Sequence, residues 1–113
     1  MDLNDYQIIS RKFAFYPHKD NNLIYAGLGL SGEVGEFNEH IKKSIRDSGF
    51  KMGDPAYDLP RRDKMIDELG DVLWYVANCA TELGVDLSHI AAYNLEKLRD
   101  RKANGKKLGH DNK

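Results

Sequence analysis

The sequence predicts an all-α fold, a four-helix bundle, from two observations. Apolar residues recur at spacings of three and four through four long segments, which is the period of an amphipathic α-helix. The only prolines, Pro17, Pro55 and Pro60, lie between these segments and not inside them, where they would break a helix. The 113 residues suit one compact domain, which we expect over residues 1–103, followed by a polar, flexible tail over residues 104–113.

The first two helices have recognisable boundaries. The first is predicted over residues 3–16, because Asp2 can cap its first turn and Pro17 ends it. The second is predicted over residues 22–47, and the loop of residues 48–60 follows it.

The last two helices are separated by a short turn. The third is predicted over residues 61–83 and is stopped by Gly84. Either Asp86 or Ser88 can cap the fourth helix, which is expected to continue to about Lys102.

Composition and charge argue against several classes of partner. With 17 basic and 18 acidic residues, the formal charge of -1 gives no reason to expect a nucleic-acid polymer or a membrane as partner. The single cysteine, Cys79, cannot form an intrachain disulfide, and the first residues lack the regions of a signal peptide. The longest apolar run, residues 72–77, is far too short to span a membrane. We therefore expect a cytoplasmic protein.

The stretch GLGLSG, residues 27–32, fits the Gly-x-Gly-x-x-Gly fingerprint of dinucleotide-binding turns. That fingerprint requires a preceding strand and a parallel sheet, and no later segment supplies a partner strand. We interpret the match as accidental. The four glycines of residues 27–35 cost a helix about 3–4 kcal/mol relative to alanine, so close packing or space for a bound group must compensate.

Two pairs of acidic residues carry the strongest functional signal. On a helical projection at about 100° per residue, Glu33 and Glu36 lie beside the apolar stripe of the second helix. Glu68 and Asp71 occupy the same position on the third helix. Each pair is spaced by three residues, so its carboxylates share one face. If the two helices face each other, four carboxylates meet at the edge of the core.

A cluster of four carboxylates requires protons or cations. At ~5 Å and an effective dielectric constant of ~20, each like-charge pair repels by roughly 3 kcal/mol. Oxygen-only ligands select a hard cation such as Mg²⁺, with Mn²⁺ as a substitute, and Mg²⁺ often takes further ligands from substrate phosphates. The pattern therefore predicts a metal site that acts on phosphate esters or anhydrides. The alternative is that these are solvated acids paired with lysines.

A di-iron site is a second interpretation, because His40 follows Glu36 by one turn. Ferritin-like sites use Glu-x-x-His on two helices, whereas this histidine is four residues away and the third helix has none. The remaining histidines, His18, His89 and His110, do not have zinc-site spacing. The sequence therefore favours neither a di-iron site nor a zinc site.

The fourth helix carries Asn94, Lys97 and Arg101 along the same side as its apolar residues. Long cationic side chains often bury their stems in this way without any ligand. Beside a metal-binding carboxylate cluster, the two cations can instead hold phosphate oxygens, and Asn94 can both donate and accept hydrogen bonds.

Three stretches of the chain resemble the MazG-like family of all-α nucleoside triphosphate pyrophosphohydrolases: GLGLSGEVGEFNEHIKK, DELGDVLWYVA and LGVDLSHIAAYNLEKLRDRKANG. The resemblance spans roughly residues 23–105. Its specific core is a Glu-x-x-Glu motif followed by Glu-x-x-Asp, present here as Glu33, Glu36, Glu68 and Asp71.

The resemblance implies Mg²⁺-dependent hydrolysis of (deoxy)nucleoside triphosphates to the monophosphate and pyrophosphate, which suggests clearing of the nucleotide pool. It implies that the four acids bind the metal and that Glu33 or Glu36 orients or deprotonates the attacking water. It places Asn94, Lys97 and Arg101 near the sugar and phosphates. It also implies a bundle completed by a second subunit, as a homodimer or homotetramer.

Self-association is also favoured by Trp74, Tyr75 and Cys79, which lie off the main apolar stripe and would leave apolar surface uncovered. Three other functions stay open. They are phosphoribosyl-ATP pyrophosphohydrolase-like activity, a non-catalytic nucleotide- or metal-binding regulator, and a plain oligomerisation module.

Overall fold

The computed structural model describes residues 1–105, and its regular structure is helical. The helices are α1 (Leu3–Arg11), α2 (Leu23–Ser48), α3 (Arg62–Glu82) and α4 (Leu87–Ala103), with one 3₁₀ turn (Ala56–Asp58) before α3. No strand occurs in residues 1–105, so the predicted all-α class with four helices is confirmed. Most of the predicted tail lies outside the described residues. No helix of the described part is both long enough and apolar enough to cross a membrane.

The main packing contact of the fold is between α2 and α3, which run antiparallel. Three contacts mark this pair from one end to the middle: Asn22 with Glu82, Gly29 with Tyr75, and Glu36 with Glu68. The positions advance from 22 to 29 to 36 on one side and retreat from 82 to 75 to 68 on the other. Steps of seven residues on both helices are the repeat of coiled-coil packing, so the same face of each helix meets its partner throughout.

The first helix is shorter than the sequence predicts, because α1 ends at Arg11 and not near Tyr16. The indole N–H of Trp74 donates a hydrogen bond of 3.2 Å to the Ser10 carbonyl at this point. The chain then turns and buries Tyr16, whose hydroxyl donates to the Glu82 carboxylate at 2.6 Å. Contacts with α3 therefore end the helix before Pro17 is reached.

The helix caps confirm one prediction in full and one in part. Asp2 caps α1 as predicted and accepts a backbone N–H of the first turn at 2.8 Å. Asp86 occupies the N-cap position of α4, as one of the two predicted alternatives, but its side chain makes no capping hydrogen bond, and Ser88 lies inside the helix. Instead, the amide oxygen of Gln7 on α1 accepts the Leu87 N–H at 2.8 Å. The cap of α4 is thus a tertiary contact, which local sequence signals do not reveal.

The buried core is small and lies where α1 packs against α3 and α4. Its buried apolar side chains are Ala77, Ala80 and Leu87, flanked by Tyr6, Val76 and Val85. Trp74, Tyr75 and Cys79, predicted to leave apolar surface uncovered, are half-buried within the chain. The exposed apolar surface includes part of the α3 stripe, where Ile66 is 50% and Leu69 49% exposed.

Candidate functional site

The predicted acidic cluster forms where the middle of α2 meets the first half of α3. Ligand oxygens of Glu33, Glu36 and Glu68 all lie within 4.8 Å of one another. A second group within the same limit consists of Asp67, Glu68 and Asp71, so Glu68 belongs to both. In the described chain, neither group includes a histidine or cysteine. We call these five carboxylates the acidic cluster; Asp67 was not predicted, although it precedes Asp71 by one turn on the same face.

Two oxygens of the acidic cluster are buried without a hydrogen-bond partner: Glu33 Oε2 and Glu68 Oε2. Leaving a buried polar atom unsatisfied costs about 1–3 kcal/mol, and more when the group is charged. A bound proton or cation removes this cost. Since the cluster offers oxygen ligands only, the residues present fit a hard divalent cation such as Mg²⁺.

Desolvation and interactions among the carboxylates raise pKa values within the acidic cluster. The pKa of Glu68 rises to about 7, first because its carboxyl interacts with that of Glu36, then through desolvation and the nearby negative charges. Desolvation, followed by the charges of Asp71 and Glu36, raises the pKa of Glu33. Desolvation also raises the pKa of Asp71, with smaller contributions from Asp67 and Glu36. Near neutral pH the cluster therefore lies between a protonated form and an ionised form that favours a cation.

The glycines around GLGLSG divide into two environments. A Cβ atom placed on Gly29 would lie 2.1 Å from Cε1 of Tyr75, which is far inside contact distance. A Cβ on Gly27, Gly32 or Gly35 would meet no heavy atom within 4 Å in the described chain. The whole stretch is α-helical, so it is not a phosphate-binding turn. One glycine serves close helix packing, and the others lie beside open space.

His40, weighed as an iron ligand, belongs to neither group of the acidic cluster. Its Nδ1 lies 3.3 Å from Nη1 of Arg61, and Nη2 of Arg61 lies 3.7 Å from the Asp47 carboxylate. These contacts tie the end of α2 to the start of α3. His40 therefore has a structural partner, and the structure lends no support to a di-iron site.

The predicted substrate-binding residues lie on α4, which packs on α1 and α3. Within the described chain the α4 backbone does not pack against that of α2. Asn94 and Lys97 are exposed and border an open cavity of about 340 Å³, whereas Arg101 is half-buried. A single chain thus does not pack α4 on the helix that carries Glu33 and Glu36.

A second polar cluster lies at the opposite end of α3, and the sequence analysis missed it. The Glu82 side chain is only 1% exposed. It accepts hydrogen bonds from the Tyr16 hydroxyl (2.6 Å), Arg11 Nη2 (2.9 Å), the Asn22 N–H (2.7 Å) and the Asp20 N–H (3.0 Å). We call these five residues the Glu82 network. Burial acts to raise the pKa of Glu82, but the hydrogen bonds outweigh it and lower the pKa to about 2.

A local signal for the Glu82 network does exist in the sequence. An acidic residue in the last turn of a helix is unfavourable beside the negative end of the helix dipole. Glu82 is the last residue of α3, so a compensating cation or set of donors was to be expected. Its partners come from α1 and the following loop. They lie between 60 and 71 positions away in the sequence.

The chain is similar to known proteins over most of its length. The family model for the MazG nucleotide pyrophosphohydrolase domain matches residues 25–105. The Gene 37 protein of Mycobacterium phage L5 is 39% identical over 110 residues, which cover 93% of this chain and 92% of the phage protein. No solved structure gives a significant match. The family match includes the acidic cluster and the three predicted α4 residues, whereas α1 precedes it.

Proposed function

Because this chain belongs to the MazG nucleotide pyrophosphohydrolase family, we propose that it hydrolyses (deoxy)nucleoside triphosphates to the monophosphate and pyrophosphate in the presence of Mg²⁺. Family membership supports pyrophosphohydrolase chemistry in general. The observation that carries the choice of a metal-dependent reaction is the acidic cluster, with its two buried oxygens that lack partners. Clearing of the nucleotide pool is the biological role that follows from this proposal.

We assign the metal to Glu33, Glu36, Glu68 and Asp71. Asp67 is an additional carboxylate in the group that contains Glu68 and Asp71. An oxygen-only donor set is the one that Mg²⁺ prefers, and Mn²⁺ accepts the same ligands. A bound Mg²⁺ neutralises phosphate charge and lowers the pKa of water. Glu68 belongs to both groups of three carboxylates, so its loss is expected to disturb the whole site.

The attacking water is assigned to Glu33 or Glu36, either of which can orient it and accept one of its protons. The raised pKa of Glu33 brings its basicity closer to neutral pH, where general bases are most effective. The water oxygen forms one new P–O bond. The bond between the attacked phosphorus and the oxygen that bridges the α and β phosphates breaks. Its electron pair stays on that oxygen, which leaves with the departing phosphate group.

We propose that Asn94, Lys97 and Arg101 hold the sugar and phosphates, and that a second subunit completes the site. Within the described chain the α4 backbone does not pack against that of α2, and apolar side chains such as Leu69 remain 49% exposed beside the acidic cluster. The Cα radius of gyration is 16.8 Å, above the about 13 Å of a compact chain of 100 residues. A homodimer or homotetramer would cover this surface; sedimentation at several concentrations tests it, and a monomer contradicts it.

The activity is tested by incubating the full chain with a panel of ribo- and deoxyribonucleoside triphosphates and either Mg²⁺ or Mn²⁺. We expect pyrophosphate and the monophosphate from at least one substrate, and loss of the reaction in EDTA. Glu68→Gln is expected to be inactive. Glu39→Gln is the matched control, because Glu39 is on α2 but pairs with Lys42 outside the acidic cluster.

The same panel with phosphoribosyl-ATP added, together with calorimetry, separates the alternatives. Cleavage of phosphoribosyl-ATP alone would assign the related pyrophosphohydrolase activity. Calorimetric binding of a nucleotide without release of pyrophosphate would indicate a non-catalytic regulator. If no nucleotide is bound or cleaved with either metal, the proposed function is wrong.

A further inference from the structure

We propose that Gly29 is a positioning residue for the acidic cluster: its missing side chain admits the Tyr75 ring between α2 and α3, and this contact sets the separation of the carboxylates on the two helices. The inference rests on the proposed function, because it concerns the same cluster. It assigns a role to one glycine of GLGLSG that neither the family match nor the motif explains.

The first observation is how closely the Tyr75 ring approaches Gly29. A Cβ on Gly29 would lie 2.1, 2.5 and 2.7 Å from three carbon atoms of the ring. At every other glycine of residues 1–105, an added Cβ would meet no heavy atom within 4 Å apart from its chain neighbours and its own helix backbone. A methyl group at this position therefore forces either the ring or a helix to move.

The second observation is that the Tyr75 ring is held on other sides too. The Trp74 ring lies edge-on to it, with 5.0 Å between centroids and planes at 90°. Burial, followed by the effect of Tyr25, raises the pKa of Tyr75, and the Tyr25 ring stacks on the Tyr16 ring with 4.7 Å between centroids. Tyr16 in turn belongs to the Glu82 network. Because its neighbours restrain the ring, a side chain at position 29 is expected to push α2 and α3 apart.

The third observation is the distance along the helices from this contact to the acidic cluster. Glu33 follows Gly29 by four residues, and Asp71 precedes Tyr75 by four. At a rise of about 1.5 Å per residue, the Cα atoms of both residues lie about 6 Å along the helix axis from the contact. Their charges also contribute to raising the pKa of Tyr75, after burial and the Tyr25 hydroxyl. The contact and the cluster are therefore neighbouring layers of one helix pair.

Metal coordination is sensitive to this spacing. Mg²⁺ requires near-octahedral geometry with ligands at about 2.0–2.1 Å, and a usable site keeps its ligand distances within about 0.2 Å. The Glu82 network fixes the helix pair on one side of Gly29, seven positions away at Asn22. A forced separation at Gly29 is then relieved toward the other side, where the acidic cluster lies.

The test compares Gly29→Ala with Gly27→Ala in the full chain. Both substitutions add one methyl group to α2 and replace glycine by a better helix former, but only position 29 faces the Tyr75 ring. Mn²⁺ affinity is measured by calorimetry, and thermal unfolding is followed by circular dichroism in EDTA. We expect Gly29→Ala to bind Mn²⁺ about tenfold or more weakly, the loss typical of disturbed support around metal ligands, and Gly27→Ala to bind like the wild type.

A second set of variants asks whether the ring is the cause. In a Tyr75→Ala background the overlap is gone, so adding Gly29→Ala should have little further effect on Mn²⁺ affinity. In a Tyr75→Phe background the ring remains, so Gly29→Ala should weaken binding as it does in the wild type. If Gly29→Ala alone does not fold, the double variant with Tyr75→Ala carries the test and must fold and bind like Tyr75→Ala.

The inference is overturned if Gly29→Ala binds Mn²⁺ like Gly27→Ala, even where its melting temperature is lower, since that is the result of a packing role alone. It is also overturned if the loss persists unchanged in the Tyr75→Ala background. A wild type that neither binds Mn²⁺ nor cleaves any nucleotide refutes the proposed function itself. If the wild type binds Mn²⁺ and cleaves a nucleotide, but Gly29→Ala and Gly27→Ala have equal Mn²⁺ affinities, only the role of Gly29 is refuted.

Discussion

Glu68 and Glu82 lie on the same helix, two heptads apart, yet their surroundings are opposite in character. Glu82 accepts four hydrogen bonds from the Glu82 network, and its pKa is lowered to about 2. Glu68 has a buried oxygen without a partner, and its pKa is raised to about 7. Desolvation acts on both carboxylates, so the difference lies in what surrounds each of them.

The groups around each carboxylate distinguish a structural acid from a functional one in this chain. At the Glu82 end, α1 and the loop after it supply a cation, a hydroxyl and backbone N–H groups. At the Glu68 end the nearest polar groups are other carboxylates. A buried acid with complete partners stabilises the fold, whereas a cluster of acids without donors is stabilised by a ligand from outside the chain.

The largest effect is expected from breaking the Glu82 network. Glu82→Gln removes the charge opposite Arg11, whose side chain is only 14% exposed. Removing one partner of a buried ion pair costs about 3–5 kcal/mol of unfolding free energy, which urea denaturation measures. Asp20→Asn is the control: Asp20 pairs with the same arginine but is 72% exposed, so its loss should cost less than about 1 kcal/mol. Equal effects of the two variants would contradict the comparison.

The second effect concerns activity and not stability. Glu68→Gln should lower the rate of pyrophosphate release beyond the about 10–100-fold typical of residues that only support metal ligands. The same variant should not lower the stability of the metal-free protein, because glutamine removes like-charge repulsion from the acidic cluster. Urea denaturation in EDTA checks the second half. A Glu68→Gln protein as destabilised as Glu82→Gln would show that the two acids do not differ in role.

A smaller loss of stability is expected from Gln7→Ala. Gln7 accepts the Leu87 N–H at 2.8 Å and donates to the Val85 carbonyl at 2.9 Å, so it joins α1 to the start of α4. Loss of such a buried cap costs about 1–2 kcal/mol by urea denaturation. Below the melting transition, pyrophosphate release should match the wild type because the Gln7 side chain bonds to Thr81, Val85 and Leu87 and to no carboxylate of the acidic cluster. A loss of turnover in the folded variant would place α1 in the catalytic machinery.

The smallest effect is a pH dependence of opposite sign at the two ends of α3. The pKa of Glu82 is lowered to about 2, so its stabilising contribution is present above the ordinary value of 4.5 and is lost as pH falls toward 2. The pKa of Glu68 is raised to about 7, so its contribution is present below 4.5 and is lost as pH rises through 7.

The sign for Glu68 is tested by urea denaturation of the metal-free protein between pH 5 and 8, a range chosen to include the raised pKa of about 7. The wild type should lose stability as the pH rises, and Glu68→Gln should lose less. Glu82 stays ionised throughout this range, so it adds no slope. A wild-type stability that is flat or rises over the range would contradict the raised pKa.

Sequence spacing was sufficient for the four helices and for the meeting of Glu33, Glu36 and Glu68, because a separation of three fixes which side of a helix a residue occupies. It was also sufficient to reject GLGLSG as a dinucleotide turn, since that requires strands. The pattern did not reveal which of its glycines faces another side chain. That depends on the register of α2 against α3, which places Tyr75 on Gly29.

The parts that could not be predicted depend on long-range packing. The early end of α1 and the cap of α4 by Gln7 arise from contacts with α3 and α4, not from local residue preferences. The inward side of α4 was inferred from its apolar residues, but Asn94 and Lys97 are exposed in the single chain because α4 does not pack on α2. Whether a second subunit covers them stays a prediction.

The most direct test of the acidic cluster as a metal site is a calorimetric titration of Mn²⁺ into the full-length wild type, Glu68→Gln and Glu39→Gln at neutral pH. We expect saturable binding to the wild type and to Glu39→Gln, with release of protons from the cluster on binding. Binding to Glu68→Gln should be weaker by at least about tenfold. Absence of Mn²⁺ binding to the wild type, or equal binding to all three proteins, would contradict the assignment of the metal to this cluster.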